Sequence, residues 1–438
     1  MTPPVGSPGA VHGRPAGPAS RPSPKPGLVA AEVDGETVVY DPEADLLHHL
    51  ETSASAVWAR LDGTVSIDDL TARIAAAYTA PPETIRDDVL DLAGVLWDLG
   101  LLDGSSAPPH TTRPPVGLAV GPVPGGELDL VDRPLPEAPY RTRRRRALEH
   151  VFEVVTNDVT VRDYLDEVLI GIAQAEAGEA AVHELLDLVP TAPASTAATP
   201  ADHERNDQPE WRYVVRYDGE TVVATGVLDI AITVLLWHVN AEVIRRSTEC
   251  YPLVHAGGVV SDGLAVMLPA PPESGKTTTV AGLLRAGFDY LTDEAVAIDP
   301  VDLLAQPYPK ALSVDAGSWE VLADLRPPHA DQISGQWHVP PTMVRPDAVA
   351  GSAPVRFVVT PSYQAGATTR LEPISRAASL MVLADSTFNF QHDPRRNLGI
   401  LRRLVHGADC FRLTIGDLDA AVRLVTELVE SEQLDVAE

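Results

Sequence analysis

Gly263-Leu264-Ala265-Val266-Met267-Leu268-Pro269-Ala270-Pro271-Pro272-Glu273-Ser274-Gly275-Lys276-Thr277-Thr278 decides how this 438-residue chain is organised. An apolar strand runs to Leu268, a loop follows, and Thr278 to Arg285 has helical composition with Gly287 as a stop. That order of strand, loop and helix gathers backbone amides and a helix N-terminus where phosphate charge collects. In such a loop Lys276 reaches the outer phosphates, and the Thr277 hydroxyl holds magnesium. The expected nucleotide-binding residues are Ala270, Pro271, Pro272, Glu273, Ser274, Gly275, Lys276, Thr277 and Thr278, with ATP or another nucleoside triphosphate and Mg2+ as ligands. The loop departs from the usual pattern in three ways. Ala270 stands where glycine is usual, and alanine resists positive φ. Pro272 removes an amide donor, and Glu273 carries negative charge towards a polyphosphate.

Downstream, Ala286 to Leu291 leads to Thr292-Asp293-Glu294 and the apolar Ala295 to Ile298. Paired carboxylates at the end of a short strand, just after the loop's helix, are placed to meet magnesium and an attacking hydroxyl. Upstream, His255-Ala256-Gly257-Gly258 precedes the strand pair that delivers the loop. His255-Ala256-Gly257, the Leu268 to Thr278 loop and Tyr290-Leu291-Thr292-Asp293-Glu294 resemble motifs of the catalytic domain of HPr kinase/phosphorylase. So do Tyr308-Pro309-Lys310, Asp315 to Leu325 and Phe388-Asn389-Phe390. The chain is more similar still to the HPr kinase-like proteins found beside peptide-modifying systems, over about 255–428. The resemblance implies that Asp293 is the general base for an acceptor hydroxyl and that Glu294 holds magnesium with Thr277. It further implies that His255 lies against the reacting phosphate beside Lys276, and that Lys310 contacts phosphate. That family carries two aspartates where this chain has Asp293-Glu294.

A smaller unit precedes this one. Val29 to Val33 and Thr37 to Tyr40 are β-prone runs about Asp34-Gly35, a dipeptide suited to a hairpin turn. A third strand is expected at Leu46 to Leu50. Ala54, Val57, Trp58 and Leu61 then share a helical face, a second helix begins at Ser66, and a third carries Ile85, Val89, Leu92, Leu96 and Leu99. Three strands and three helices predict a winged helix-turn-helix. Tyr40-Asp41-Pro42, Ser53 to Trp58, Asp62-Gly63 and Asp88-Val89 resemble the PqqD-like family, the peptide recognition element of ribosomal peptide biosynthesis. Its members bind a leader peptide as an added strand. That implies a groove formed by Leu46, Leu47, His48, His49, Leu50, Ile85, Val89, Leu92 and Leu96.

The division that follows is a disordered arm at 1–27, an α+β recognition domain at 28–103 and a linker at 104–140. An α/β, HPr kinase-like phosphate-loop domain follows at 141–438, with a flexible insertion at 190–209. Those arm, linker and insertion segments are rich in Pro, Gly, Ala, Ser and Thr and lack any period. The stretch 141–250 shows no catalytic motif. Its Arg141, Arg143, Arg144, Arg145 and Arg146 run suits either a solvated segment or a dock for acidic peptide.

With 33 basic and 62 acidic residues the net charge is −29, which repels a nucleic-acid backbone. Asp87, Asp88, Asp91 and Asp98 make the third helix of the small unit unsuited to phosphates. Two distant cysteines, Cys250 and Cys410, form no metal-ligand spacing. No secretory or membrane-spanning run is legible, so a cytoplasmic protein without membrane partners is expected. Together the two resemblances imply an ATP-dependent kinase that phosphorylates a Ser or Thr hydroxyl of a precursor peptide recognised through its leader. Two alternatives stay open: a non-catalytic nucleotide-binding chaperone presenting peptide to other modifying enzymes, and ATP-dependent carboxylate or amide activation. Members of the kinase family form hexamers, so homo-oligomerisation is a further expectation of that resemblance.

Overall fold

The computed structural model describes residues 14–15, 17–76, 82–105, 135–176, 178–188, 212–328 and 336–437. The insertion expected at 190–209 and most of the expected linker lie outside them. Along the chain β1 (Val29–Val33), β2 (Glu36–Asp41) and β3 (Leu46–Leu50) precede α1 (Thr52–Trp58), α2 (Ile67–Ala75) and α3 (Pro82–Asp98). Then come β4 (Tyr140–Arg141), β5 (Arg145–Ala147), β6 (His150–Thr156), α4 (Val159–Val168) and β7 (Ala173–Gln174). β8 (Ala181–Asp187), β9 (Tyr213–Tyr217), β10 (Glu220–Thr225) and α5 (Leu228–Ser247) follow. The loop region has β11 (Leu253–Ser261), β12 (Leu264–Pro269), α6 (Lys276–Arg285), β13 (Asp289–Thr292) and β14 (Ala295–Ile298). After it run β15 (Leu304–Gln306), β16 (Leu312–Asp315), β17 (Gln336–Val339), α7 (Pro341–Val344) and β18 (Ala353–Tyr363). The chain closes with β19 (Arg370–Pro373), α8 (Arg376–Asp385), α9 (Pro394–His406), β20 (Asp409–Ile415) and α10 (Leu418–Ala437).

Packing sorts these elements into two compact units. One draws its described residues from 1–114, 374–385 and 389–407, the other from 115–373, 386–388 and 408–438. In the first, β1, β2 and β3 form an antiparallel sheet in that order. Asp34 and Gly35 both have positive φ, 52° and 85°, as a two-residue hairpin turn requires. Val39, Trp58, Ile67, Leu70, Val89 and Leu96 meet in its core. Ser66 caps α2 by accepting a bond from the Asp69 amide.

Two features of this unit differ from the sequence expectation. Residues 17–27, expected as part of a disordered arm, are laid on the unit instead. Ile67 and Asp68 amides donate to the Ser20 and Pro18 carbonyls, and the Lys25 amide donates to Leu101. Lys25 also pairs with Asp41 at 3.0 Å. A proline-rich segment builds no core of its own, but its carbonyls can still be bonded by a neighbouring one. The second feature is that α8 and α9, from the far C-terminal part of the chain, pack on this sheet, α8 along β2 and β3 and α9 along β1. Phe390 meets Tyr40 edge-on at 4.9 Å, and Arg376 pairs with Asp34 at 3.2 Å.

The second unit holds two large sheets. In one the order is β10-β9-β8-β6-β5-β7, with β4 also on β6. Arg141 and Arg144 of the arginine run both pair with Glu153 there, while Arg145 is buried and donates to the Ile172 carbonyl. In the other sheet the order is β12-β11-β14-β15-β18-β20-β19. Because β18 pairs with β12 as well as β15, strands β12, β11, β14, β15 and β18 close a circuit. Helix α5 lies between the sheets, its Val239, Val243 and Leu235 sharing a core with Phe152, Leu253 and Ala297. Among the described residues no helix is long and apolar enough to cross a membrane.

Just past α4 the backbone lies close against Pro309 and the start of α7. A Cβ on Gly171, just past α4, would lie 2.3 Å from the Pro309 carbonyl oxygen and 3.0 Å from Pro341. Gly171→Ala is expected to displace the Pro309–Lys310 backbone and cost about 1–3 kcal/mol. Thermal unfolding would show it as a lowered Tm; an unchanged Tm would mean the contact is soft.

Candidate functional site

The loop sits on α6. Its strand β12 is buried from Ala265 to Leu268 by the sheet circuit, so the chain leaves the sheet at a fixed point. Two loop residues have positive φ, Glu273 at 62° and Gly275 at 89°. Ala270 does not, so the alanine found in place of glycine carries no conformational penalty. The left-handed turn falls on Glu273 instead, which costs a non-glycine residue about 1–2 kcal/mol and points its charge into solvent. Gly275 caps the N-terminus of α6, where unpaired amides favour an anion. Ser274 Oγ is buried, with no hydrogen-bond partner among the described residues. Lys276 is buried and curls back, its Nζ donating to the carbonyls of Ala270 at 2.7 Å and Pro271 at 2.8 Å. Burial lowers its pKa to about 8, opposed by the nearby charges of Glu294 and Asp293.

The carboxylate pair lies where the chain breaks from β13 to β14 while both strands pair with β11. The Thr292 hydroxyl accepts the Glu294 amide at 3.1 Å and so turns the chain at that break. Asp293 is buried and takes bonds from every side. Lys310 Nζ is at 2.9 Å, the Tyr290 hydroxyl at 2.9 Å, the Ser313 amide at 3.0 Å and the Thr277 hydroxyl at 3.2 Å. Burial alone would raise its pKa, but the Lys310 charge and the Ser313 amide outweigh it, and the carboxyl is held below its usual range. Glu294 goes the other way. Burial raises its pKa, and the charge of Asp293 adds to that against the pull of Lys310 at 3.7 Å. Lys310 lies half-buried between the two acids; desolvation works to lower its pKa, but Asp293 and Glu294 hold it above its usual value.

His255 completes the cluster. Its Nδ1 donates to the Glu294 carbonyl at 3.0 Å, and its ring meets Phe388 at 5.2 Å. Burial and then Lys276 push its pKa down to about 4, so it is neutral at pH 7. The backbone of His255 is tied to residues 386–388: its amide donates to the Ser386 carbonyl at 2.7 Å, and Phe388 donates to Leu253.

The structure thus brings Lys276, Thr277, Asp293, Glu294, His255 and Lys310 together. Pro271, Pro272 and Glu273 are on the exposed outside of the loop, while Thr278 turns away to bond Ser318 at 2.6 Å. Sequence reasoning quoted Tyr290 in a motif without giving it a role, and passed over Ser313, which holds Asp293 with it, and Asn240, which bonds the Glu294 carboxylate from α5. A lone asparagine within the long apolar run of α5 was the available signal. Of the residues expected to form a peptide groove, Ile85, Val89, Leu96 and Leu50 are buried in the core of the first unit. Leu46, Leu47, His48, His49 and Leu92 are half-buried. Strand β3 pairs only with β2 among the described residues, so it has an edge for an added strand.

The buried histidines of the second unit predict that it loses stability in acid. His255 and His338 have pKa values lowered to about 4, His150 to about 4 and His183 to about 3, burial leading in each case. The unfolded chain, with histidines near 6.5, takes up protons first, so protonation favours unfolding. Stability is expected to fall as pH drops from about 6.5 towards 4. Urea midpoints at pH 7.5 and 5 check this; equal midpoints would contradict it.

Residues 36–102 match the family model described as coenzyme PQQ synthesis protein D (PqqD), so that stretch is a PqqD domain. No curated protein sequence matches the chain. Four chains of solved structures do. One is TbiB1 in complex with the TbiA(beta) leader peptide, 23% identical, covering 19% of this chain and 98% of the other, with a TM-score of 0.18. Another is the Hpr(Ser) kinase/phosphatase from Coxiella burnetii, 14% identical, covering 42% of this chain and 99% of the other, with a TM-score of 0.25.

Proposed function

We propose that this chain binds a nucleoside triphosphate at Ala270 to Thr278 and transfers its γ-phosphate to a serine or threonine hydroxyl of a precursor peptide held by the PqqD domain. The observation that carries it is the Thr277–Asp293 contact at 3.2 Å, which joins the phosphate loop to the acid pair. The loop fits a polyphosphate: the α6 N-terminus, a Ser274 Oγ without a partner among the described residues and the Lys276 ammonium all favour one. The Thr277 hydroxyl, within reach of the acid pair, would help hold Mg2+, which when bound would neutralise charge on the transferring phosphoryl group.

The chain's own groups divide the remaining work. Lys276 can exchange its two loop carbonyls for phosphate oxygens, and at a pKa of about 8 it is mostly charged at pH 7. Lys310 holds the acid pair in place and sets a positive charge beside it. The family resemblance gives Asp293 the role of proton acceptor. Its oxygens already accept four hydrogen bonds, whereas Glu294 has the raised pKa and lines an open cavity. This geometry supports Glu294 as the acid nearer the acceptor hydroxyl, with Asp293 tying the loop threonine to the pair. A leader held by the PqqD domain would raise the acceptor's local concentration through the tether, so a weak contact with the core peptide suffices.

Mass spectrometry of a precursor peptide incubated with the full chain, ATP and Mg2+ tests the proposal. A stable gain of one phosphate is expected; no change would favour a chaperone, and a product without phosphate would favour carboxylate or amide activation. Glu294→Gln should slow transfer by about 10²–10⁴-fold with ATP affinity little changed. Asp293→Asn should weaken both, and wild-type turnover by Glu294→Gln would remove it from the mechanism.

A further inference from the structure

A cavity of about 340 Å³ opens beside Glu294 of the acid pair. Its floor holds Glu294, Lys310 and Ser313, and no residue of Ala270 to Thr278 lines it. Its walls come from the stretch in which the sequence shows no catalytic motif: Val168 and Ile172 at the end of α4, and Leu236 and Val239 on α5. At the mouth Trp237 keeps 45% of its surface exposed although it is a large apolar side chain. The size falls at the lower end of the roughly 300–1,000 Å³ usual for small-ligand pockets.

Two wall residues carry unused hydrogen-bonding capacity. Asn240 is 7% exposed and bonds Glu294, yet its Oδ1 has no partner among the described residues. His338 is 5% exposed, and its Nε2 has none either. Buried polar atoms that line a cavity and lack partners in the fold select a ligand that supplies them. Asn240 Oδ1 calls for a donor, which a peptide amide provides. The apolar walls favour an uncharged side chain, since a charged one would lose hydration against Leu236, Val239 and Ile172.

Building on the kinase reading, we infer that this cavity is the acceptor-side subsite and takes an apolar residue of the peptide adjacent to the serine or threonine that is phosphorylated. Its backbone amide bonds Asn240, and its side chain packs between α4 and α5. The N-terminal part of the second unit therefore selects the acceptor sequence, while the loop strands hold the nucleotide. Gly171 keeps the end of α4 tight against Pro309 and so fixes one wall relative to Lys310.

The test uses the full chain and short leader-free peptides with one central serine, in which each flanking position in turn is Leu, Phe, Ala, Glu or Lys. Binding is followed by Trp237 fluorescence against a Trp237→Phe blank, and phosphate transfer by mass spectrometry. Leu or Phe at one flanking position should raise both signals about tenfold or more over Glu or Lys. Leu236→Trp, which fills the cavity from its rim, should erase that preference with calorimetric ATP affinity unchanged, and Leu236→Ala should shift it towards Phe. Transfer without flanking preference, or the same preference in Leu236→Trp, overturns the subsite and leaves the kinase reading intact. Apolar-selective binding with no transfer, to these peptides or to a full precursor peptide carrying its leader, upholds the subsite and overturns the kinase reading. No binding of any of these peptides overturns the subsite, and no transfer to a full precursor peptide either overturns both.

Discussion

Everything at the site depends on one buried ion pair. Asp293 and Lys310 lie 2.9 Å apart; Asp293 is buried, and Lys310 keeps only 13% of its side chain exposed. Burying either charge alone would cost several kcal/mol, so each is tolerable only while the other is in place. Tyr290, Ser313 and Thr277 satisfy the remaining lone pairs of Asp293, and the Ala311 carbonyl and Ser313 hydroxyl satisfy Lys310. The pair is therefore a fixed point from which the phosphate loop, the β13–β14 break and the start of β16 are all positioned. That arrangement demands the closed strand circuit, because β11 must hold both halves of the broken strand while β12 delivers the loop.

The same pair splits the titration of two neighbouring acids. Asp293 stays charged because its counter-charge and donors are already assembled, while Glu294 is exposed to their leftover field and to burial. Two acids adjacent in sequence thus acquire different chemistry from their surroundings alone. His255 stays neutral for the opposite reason, since it is buried beside Lys276 and its nearest bond is to a carbonyl.

Much of this was legible in the sequence because it is local. The strand–loop–helix about Gly275, the acids after the next strand and the Asp34-Gly35 hairpin each occupy a few consecutive residues with their own chemistry. Packing between distant segments was not legible. Nothing in the periodicity of α8 and α9 shows that they cover the sheet of the first unit, and nothing in the composition of 17–27 shows that its carbonyls are bonded by Ile67 and Asp68. The loop's three departures also could not be weighed from sequence, because their cost depends on φ. Ala270 has no need of glycine's freedom, and the strain falls on Glu273. Asn240 and His338 are separated by about a hundred residues in the chain, and only the fold places both on one cavity.

The central claim is that the Ala270–Thr278 loop holds a nucleotide despite its altered sequence. Calorimetric titration of the full chain with Mg-ATP tests it most directly. A saturable, one-to-one heat that disappears in Lys276→Ala is the predicted result. No heat with ATP, GTP or their magnesium complexes would contradict the account.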